Sequence, residues 1–536
     1  MQCLYPIYRV LISVYDKTGI LNFSKFLHEK NIQIISTAGT AAFLKKEGLT
    51  TTEISDYINF PELMDGRIKT LHPKIYGGIL ARPDLDKKIM NEFNIDHIDM
   101  VIVNLYPFNS KIKRKQKNIL KEKQITNIDI GGPSIVRAAA KNYKKVAVLV
   151  HSCDYAPIIH EMNNNNNSLT IQTKFKLAAK AFEHVATYDR NIANYFQNVK
   201  TKNNGNKNKQ SILNFPKNIN IINEKFVKEQ DLNYGENHHQ KAAFYVNERF
   251  ANKSLNSTIK KIQGKSLSYN NIVDIDTALE CIKMFTKPTC IIIKHNTPCG
   301  VASSENIQLA YQKAYQADPI SAFGGIIALN QTIDAQTANL LQQQFAEVII
   351  APSIKKNALN ILSNKKNMRI VTYKNKLIEI TNIDIKIINN GGLLVQEHDK
   401  KKINFKRMNI VTKRSPTKKE INDAIFCWKI IKFVKSNAIV YAKNNQTIGI
   451  GSGQMSRVFS AKIAAIKTKN EGLETHGATM ASDAFLPFCD CIEVAGELGI
   501  SCVIQPGGSI KDEDIIKTAN RYNIAMIFTY TRHFKH

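Results

Sequence analysis

The sequence predicts a multidomain α/β protein, and three observations carry that expectation. At 536 residues the chain is longer than one hydrophobic core usually supports. Short β-branched runs alternate with helix-period stretches, the pattern of strands joined by crossover helices in a parallel sheet. A polar segment without periodicity, T-K-N-N-G-N-K-N-K-Q at 201–210, separates two such regions.

In chain order, the first strand is expected at Val10–Val14, and a helix follows over Leu21–Glu29. Gln33–Ser36, Met100–Val103 and Val146–Val150 read as further strands, and Thr40–Lys46 and Lys174–Gln197 as helices. The basic run at 110–117 reads as a solvated face. In the second region, from about Ile221, strands are expected at 291–293, 326–329, 348–350, 438–441 and 502–504. The expected division is 1–200, a linker at 201–213, and 214–536. No short-period repeat is visible.

The net charge of +29 first suggests a nucleic acid or an anionic membrane. Its make-up argues otherwise, because 61 of the 74 basic residues are Lys and only 13 are Arg. Phosphate and base readers lean on Arg. Abundant Lys, Asn and Ile fit an AT-rich coding sequence. The nine Cys include no paired C-x-x-C, which points to a reduced, cytoplasmic protein. The N-terminus looks like a first strand, and no apolar run approaches the roughly 18 residues of a membrane span.

Chemistry-bearing residues cluster where strands give way to loops. Ile291–Gly300 reads I-I-I-K-H-N-T-P-C-G, so a buried strand delivers Lys294 and His295 side by side, and Asn296, Pro298 and Gly300 are expected to break it. A histidine can move a proton and an ammonium can stabilise an oxyanion. Ser13–Gly19 and Ser36–Thr40 place small and hydroxyl residues before helix starts, as caps or as a phosphate site. Arg67, Lys69, His72 and Lys74 crowd one Gly- and Pro-containing loop, as an anion site would. Tyr106 follows a strand, and Asp129 precedes a helix carrying Arg137 and Lys141 one turn apart.

In the second region, Asn233–Gln240 is a turn-like loop whose His pair invites a metal reading, but no nearby Cys or carboxylate completes a ligand set. Gly449–Arg457 reads as a Gly-rich turn ending in Arg. Phe485 and Phe534 could stack on a heterocycle or pack in the core. P-C-G at 298–300 is half of the zinc-deaminase signature, but the second Cys and H-x-E are missing.

With these motifs in order, the chain resembles the bifunctional AICAR transformylase/IMP cyclohydrolase family, most closely its enterobacterial form. The matching motifs are D-G-R-I-K-T-L-H-P-K, N-L-Y-P-F, N-I-D-I-G-G-P, Y-G-E-N, I-K-H-N-T-P-C-G, S-A-F-G-G, K-S-N-A-I-V-Y-A-K, G-Q-M-S-R, S-D-A-F and Q-P-G-G-S. They run from about residue 8 to residue 536.

The resemblance implies a methylglyoxal-synthase-like α/β domain followed by two deaminase-like α/β subdomains without zinc. It implies formyl transfer from 10-formyltetrahydrofolate to AICAR, then closure of the product, FAICAR, to IMP. It further implies a homodimer with no catalytic metal, and no nucleic-acid or membrane partner. His295 would be the transformylase base, with Lys294 and Asn437 as oxyanion donors. Asn233, Tyr234, Arg457, Phe485, Arg532 and Phe534 would hold AICAR, and Glu347, Phe323 and Gly324 would lie on the folate side. In the cyclohydrolase, Ser13, Lys17, Thr40, Arg67 and Thr70 would hold substrate, while Lys69, Tyr106, Asp129 and Lys141 would polarise and move protons.

Departures from the family pattern include Tyr15, Ala38, Tyr76, Leu486, Cys489 and Asn233, the last standing where an Arg is usual. A member with one inactive half, or a basic nucleic-acid binder, remains the alternative at this stage.

Overall fold

The structure, a computed structural model, describes residues 5–64, 66–108, 125–126, 128–198, 226–247, 259–374, 383–401 and 408–536. Its contacts divide the chain into Met1–Lys217 and Asn218–His536. The expected linker at 201–213, the basic run at 110–117, and Asp65 lie outside the described residues.

In the first unit, the strands are β1 (Arg9–Val14), β2 (Gln33–Ser36), β3 (Thr52–Glu53), β4 (Met100–Asn104) and β5 (Ala147–Leu149). They form a parallel sheet in the order β3-β2-β1-β4-β5. Both faces are buried, which is why these strands read as continuous apolar runs. Leu11, Val101 and Val148 enter one core, and Val10, Ile12, Ile102 and Leu149 the other. The helices are α1 (Ile20–Glu29), α2 (Ala38–Lys46), α3 (Ile54–Ile58), α4 (Pro73–Leu80), α5 (Pro83–Glu92), α6 (Gly131–Lys141), α7 (Tyr155–Asn164) and α8 (Ile171–Asn198). The strand order reverses between β1 and β4, so the crevice at their carboxyl ends is the switch point where such sheets bind ligands.

The second unit opens with a hairpin of β6 (Phe226–Leu232) and β7 (Ala242–Asn247). Next come β8 (Ile259–Gln263), α9 (Tyr269–Ile282), β9 (Thr289–Lys294), β10 (Thr297–Ser303), α10 (Ile307–Gln316) and α11 (Pro319–Ala322). Then β11 (Ile326–Leu329), α12 (Ala335–Leu341), β12 (Val348–Ala351), α13 (Lys356–Leu362) and β13 (Arg369–Tyr373) complete a first half. A second hairpin, β14 (Ile383–Ile388) and β15 (Gly392–Glu397), precedes the second half. That half contains β16 (Asn409–Ile410), α14 (Lys418–Ile431), β17 (Ile439–Lys443), β18 (Gln446–Gly451) and α15 (Arg457–Asn470). It ends with β19 (Thr479–Ser482), α16 (Asp490–Glu497), β20 (Cys502–Gln505), α17 (Asp512–Arg521) and β21 (Ala525–Phe528).

These two halves form one twelve-stranded sheet, β16-β21-β20-β19-β17-β18-β10-β9-β11-β12-β13-β8. Each half is an antiparallel hairpin, then three mutually parallel strands, then an antiparallel edge strand. They meet where β10 pairs antiparallel with β18 at Ala302 and Gln446. One core shared by both halves lies under α9 and α14, and separate cores fill the opposite face. Antiparallel joining puts the turn of the first hairpin on the same sheet edge as the carboxyl ends of β19, β20 and β21.

Two sequence expectations are corrected here. Only His295 and Asn296 interrupt the strand pair, as a two-residue turn with φ of 50° and 60°. Pro298 and Gly300 lie inside β10. The register shifts between them, so the missing proline N–H falls at an irregularity of the ladder. A Cβ on Gly300 would stand 2.0 Å from the Ala314 carbonyl oxygen, so glycine lets α10 pack onto the strand. Likewise Gly449 and Gly451 belong to β18 rather than to a turn, and a Cβ on Gly451 would stand 1.9 Å from the Ser460 carbonyl oxygen.

Candidate active sites

In the first unit, Ser13, Lys17, Thr40 and Tyr106 gather at the carboxyl edge of β1, β2 and β4. Lys17 Nζ donates to Thr40 Oγ1 at 3.0 Å and to the Val14 carbonyl. Thr37 Oγ1 lies 3.4 Å from Ser13 Oγ. Neither α1 nor α2 has a side-chain N-cap bond, so these hydroxyls are not spent as caps. The Lys17 ammonium is pushed down, first by burial and then by the like charge of Lys69. Two cations held this close suit an anionic ligand. The Tyr106 ring is 5.0 Å from that of Tyr15.

Thr70 is buried against the start of α6, where a Cβ on Gly131 would stand 2.6 Å from Thr70 Oγ1. Asp129 Oδ1 accepts from Gly132 N at 2.8 Å, beside Leu105. Arg67 is exposed, on the turn between Leu63 and Ile68. Two members of the crowded basic loop have other partners. His72 Nδ1 accepts from Lys74 N as the cap of α4, and Lys74 Nζ sits 4.9 Å from the Tyr57 ring centroid.

Lys141 is not brought to Asp129. It is the exposed last residue of α6, about 15 Å from the helix start at 1.5 Å per residue. Asn104 was missed as a site residue. Its side chain accepts from Tyr15 N at 2.5 Å and Asp16 N at 3.0 Å, and donates to the Asp16 carbonyl at 2.8 Å. It ties β4 to the loop carrying Lys17. The available signal was an Asn ending a buried strand.

In the second unit, the β9–β10 turn presents an exposed His295 beside Lys294. Lys294 Nζ donates to the Phe323 carbonyl at 2.7 Å, and a Cβ on Gly324 (φ +68°) would stand 3.2 Å from that ammonium. Phe323 packs on Phe345 with ring centroids 5.1 Å apart. Glu347 accepts from Asn271 Nδ2 at 2.7 Å and lies 3.8 Å from Arg369. Lys294, Phe323, Gly324 and Glu347 therefore form one neighbourhood.

The same edge carries residues of the second half. Asn437 Nδ2 donates to the Gln454 carbonyl at 2.8 Å, and its second amide hydrogen has no partner among the described residues. The fully buried Asp483 accepts from Ala438 N and Ser436 Oγ and pairs with Arg457 Nη2 at 3.4 Å. Arg457 Nε is buried without a hydrogen-bond partner among the described residues. Phe485 and Phe534 are about 40% exposed (40% and 41%), which favours stacking over core packing. Arg532 lies 5.8 Å from the Phe534 ring.

The C-terminal tail joins the halves, since Lys535 Nζ donates to the Asn296 carbonyl at 3.5 Å and its carbonyl accepts from Ser436 N at 2.9 Å. Asn233 is exposed, and Tyr234 packs on His238 at 4.2 Å. Their loop touches the start of α9 through Glu236 and Asn270, and among the described residues no hydrogen bond or ion pair joins it to Lys294, His295 or Asn437. Cys299 is buried, and burial above all pushes its thiol up to about 12.

Both units are thus α/β layers with polar side chains gathered at one sheet edge, the architecture of an α/β enzyme. The chain belongs to the AICARFT/IMPCHase bienzyme family, whose model matches residues 139–467, and an MGS-like domain matches residues 19–134. A solved structure described as the crystal structure of ForH is 29% identical, covering 35% of this chain and 99% of its own. Its TM-score of 0.33 is too low to bear on fold or function. Among the described residues, no helix is long and apolar enough to cross a membrane.

Proposed function

We propose that the second unit transfers the formyl group of 10-formyltetrahydrofolate to the 5-amino group of AICAR, and that the first unit closes the product to IMP. The carrying observation is the turn that presents Lys294 and His295 on the sheet edge shared with Asn437, Arg457 and Phe485. The AICAR amine is a poor nucleophile because its lone pair is conjugated into the ring and carboxamide. As its nitrogen bonds to the formyl carbon, His295 takes the amine proton. Lys294 and the second amide hydrogen of Asn437 stabilise the tetrahedral oxyanion. The bond from the formyl carbon to folate N10 then breaks, and N10 takes up a proton. Phe485 and Phe534 flank the base, Arg457 and Arg532 reach anionic groups, and Phe323, Gly324 and Glu347 face the folate.

In the first unit, the carboxamide nitrogen attacks the formyl carbon of the same molecule, and the formyl oxygen leaves as water. Both groups are already joined, so positioning supplies much of the rate. Ser13, Lys17, Thr40, Arg67 and Thr70 hold phosphate and ribose, and Lys69, Tyr106 and Asp129 polarise the oxygen and move protons. Lys141, at the far end of α6, would act only at a distance. A homodimer would bring Asn233 and Tyr234 of a second copy to the transformylase site. The cysteines among the described residues are all free, which supports a cytoplasmic location.

Incubating the chain with AICAR and 10-formyltetrahydrofolate should yield both tetrahydrofolate and IMP. A fragment ending near residue 200 should convert FAICAR to IMP without folate. No tetrahydrofolate from the full chain, or a folded fragment inert toward FAICAR, would refute the respective half.

A further inference from the structure

The turn that carries the reactive pair is a tight two-residue hairpin turn, with positive φ at both His295 and Asn296. What anchors this turn decides where Lys294 and His295 stand. Asn296 is held at three points. Its N–H donates to Asp274 Oδ1 at 2.6 Å, its side chain meets the Thr277 hydroxyl, and its carbonyl accepts from Lys535. We propose that Asp274 is a positioning residue for the Lys294–His295 pair, its carboxylate clamping the turn that presents them.

A second copy of the device lies within the same chain. Asp423 accepts from Asn444 N at 3.0 Å and Asn445 N at 2.7 Å, in the turn between β17 and β18. That turn also has positive φ at both residues, 58° and 55°. Asp274 and Asp423 are each the sixth residue of their helix, α9 and α14, and both helices begin with a capping box. The clamp therefore recurs with the topology, and only in the first half does the clamped turn add a histidine to the lysine that precedes it. The Asp274 carboxyl is pushed up, chiefly by burial and also by Glu347, while His295 and Lys294 pull against that shift. The carboxylate thus lies near Lys294 and His295 as well as the turn amide.

Asp274→Ala and Asp274→Asn in the full-length chain test this by two readouts. The first is hydrogen exchange at the Asn296 amide, which does not depend on activity. Asp274→Ala should deprotect it, while Asn keeps an acceptor and should largely retain protection. The second, resting on the transformylase reading, is steady-state kinetics. Asp274→Ala should lower kcat by on the order of 10²-fold with little change in KM, as misplacement of a reacting group does. Asp274→Asn should recover most of it. Asp423→Asn, at the opposite sheet edge, should leave kcat unchanged.

Unchanged exchange in Asp274→Ala, a loss confined to KM, Asn faring no better than Ala, or an equal kcat loss from Asp423→Asn would overturn the proposal. Absence of transformylase activity in the unmodified chain would instead refute the proposed function, and the exchange result would still decide the clamp.

Discussion

The two halves of the large sheet share strand order, a left-handed hairpin turn, a capped helix and an aspartate clamp, but differ in what those parts carry. The first turn presents Lys294 and His295, and its counterpart presents Lys443 and Asn444. Lys443 is drawn to Glu474 at 3.6 Å, while Lys294 points to the Phe323 carbonyl. After the first of the three parallel strands, Asn330 Oδ1 accepts from Thr289 N at 2.8 Å, as Asp483 Oδ1 accepts from Ala438 N at 3.4 Å. Asp483 is an acid and holds Arg457. Asn330 is neutral, and its amide instead donates to the Phe285 and Lys287 carbonyls. The opposite edge keeps a polar cavity of about 510 Å³ beside Asn330, Thr332 and Ser353, without a comparable set of reacting groups. A duplicated topology supplied two edges, and side chains on the loops made one of them a site.

The largest expected effect separates the two turns. His295→Ala should lower transformylase turnover by on the order of 10²- to 10⁴-fold and leave the cyclohydrolase near normal. Asn444→Ala at the matching turn should leave both. A loss below about tenfold at saturation would remove His295 from the role of general base.

Gly300→Ala and Gly449→Ala, each four residues past its clamped turn, probe whether the halves are packed alike. Each Cβ would meet the carbonyl of the eighth residue of the following helix well inside contact distance, at 2.0 Å and 2.2 Å. Each should cost about 1–3 kcal/mol or more, read from denaturant midpoints. Clearly unequal losses would show that the resemblance stops at topology.

The hairpins that precede the two halves offer a smaller test. Asn233 stands on the first, where the family pattern has Arg. A charge-assisted bond is worth about 1.5–3 kcal/mol and a neutral one nearer 1. Asn233→Arg should therefore lower the KM for AICAR several-fold and leave the cyclohydrolase untouched. An unchanged or raised KM would mean another residue has taken over the anion.

The smallest effect concerns the helix caps. Ser268 and Asn271 box α9 with neutral groups, whereas Thr417 and Glu420 box α14 with a carboxylate. Burial opposes the charge of Glu420, but hydrogen bonds from Arg414, Ser501 and Thr417 outweigh it and hold its pKa at about 2. A depressed carboxyl pKa stabilises the fold above the unfolded value near 4.3, and that contribution fades as pH falls toward 2. The stability difference between wild type and Glu420→Gln should therefore shrink across that window. A difference that stays constant would assign Glu420 a purely neutral role.

Much of this was readable in the chain. Val10–Val14, Ile326–Leu329 and the run through Ile293 are buried on both faces, and such strands announce themselves by composition alone. Lys294, His295, Asn437 and Tyr106 stood out because ionisable or polar groups end those runs. Strand β10 did not, because Pro298 and Gly300 are local breakers that a bulge and a close helix made acceptable. Asp274 looked like any helix-surface acid, since its partner amide lies 22 residues on.

The sequence by itself determined the α/β class, the strand ends where polar groups appear, and the family likeness. The tertiary structure alone decided that two halves repeat one topology and that Asp274 and Lys535 converge on one turn. Periodicity is a local property of neighbouring residues, whereas the antiparallel pairing of Ala302 with Gln446, which sets both edges of the sheet, joins positions that no local pattern connects.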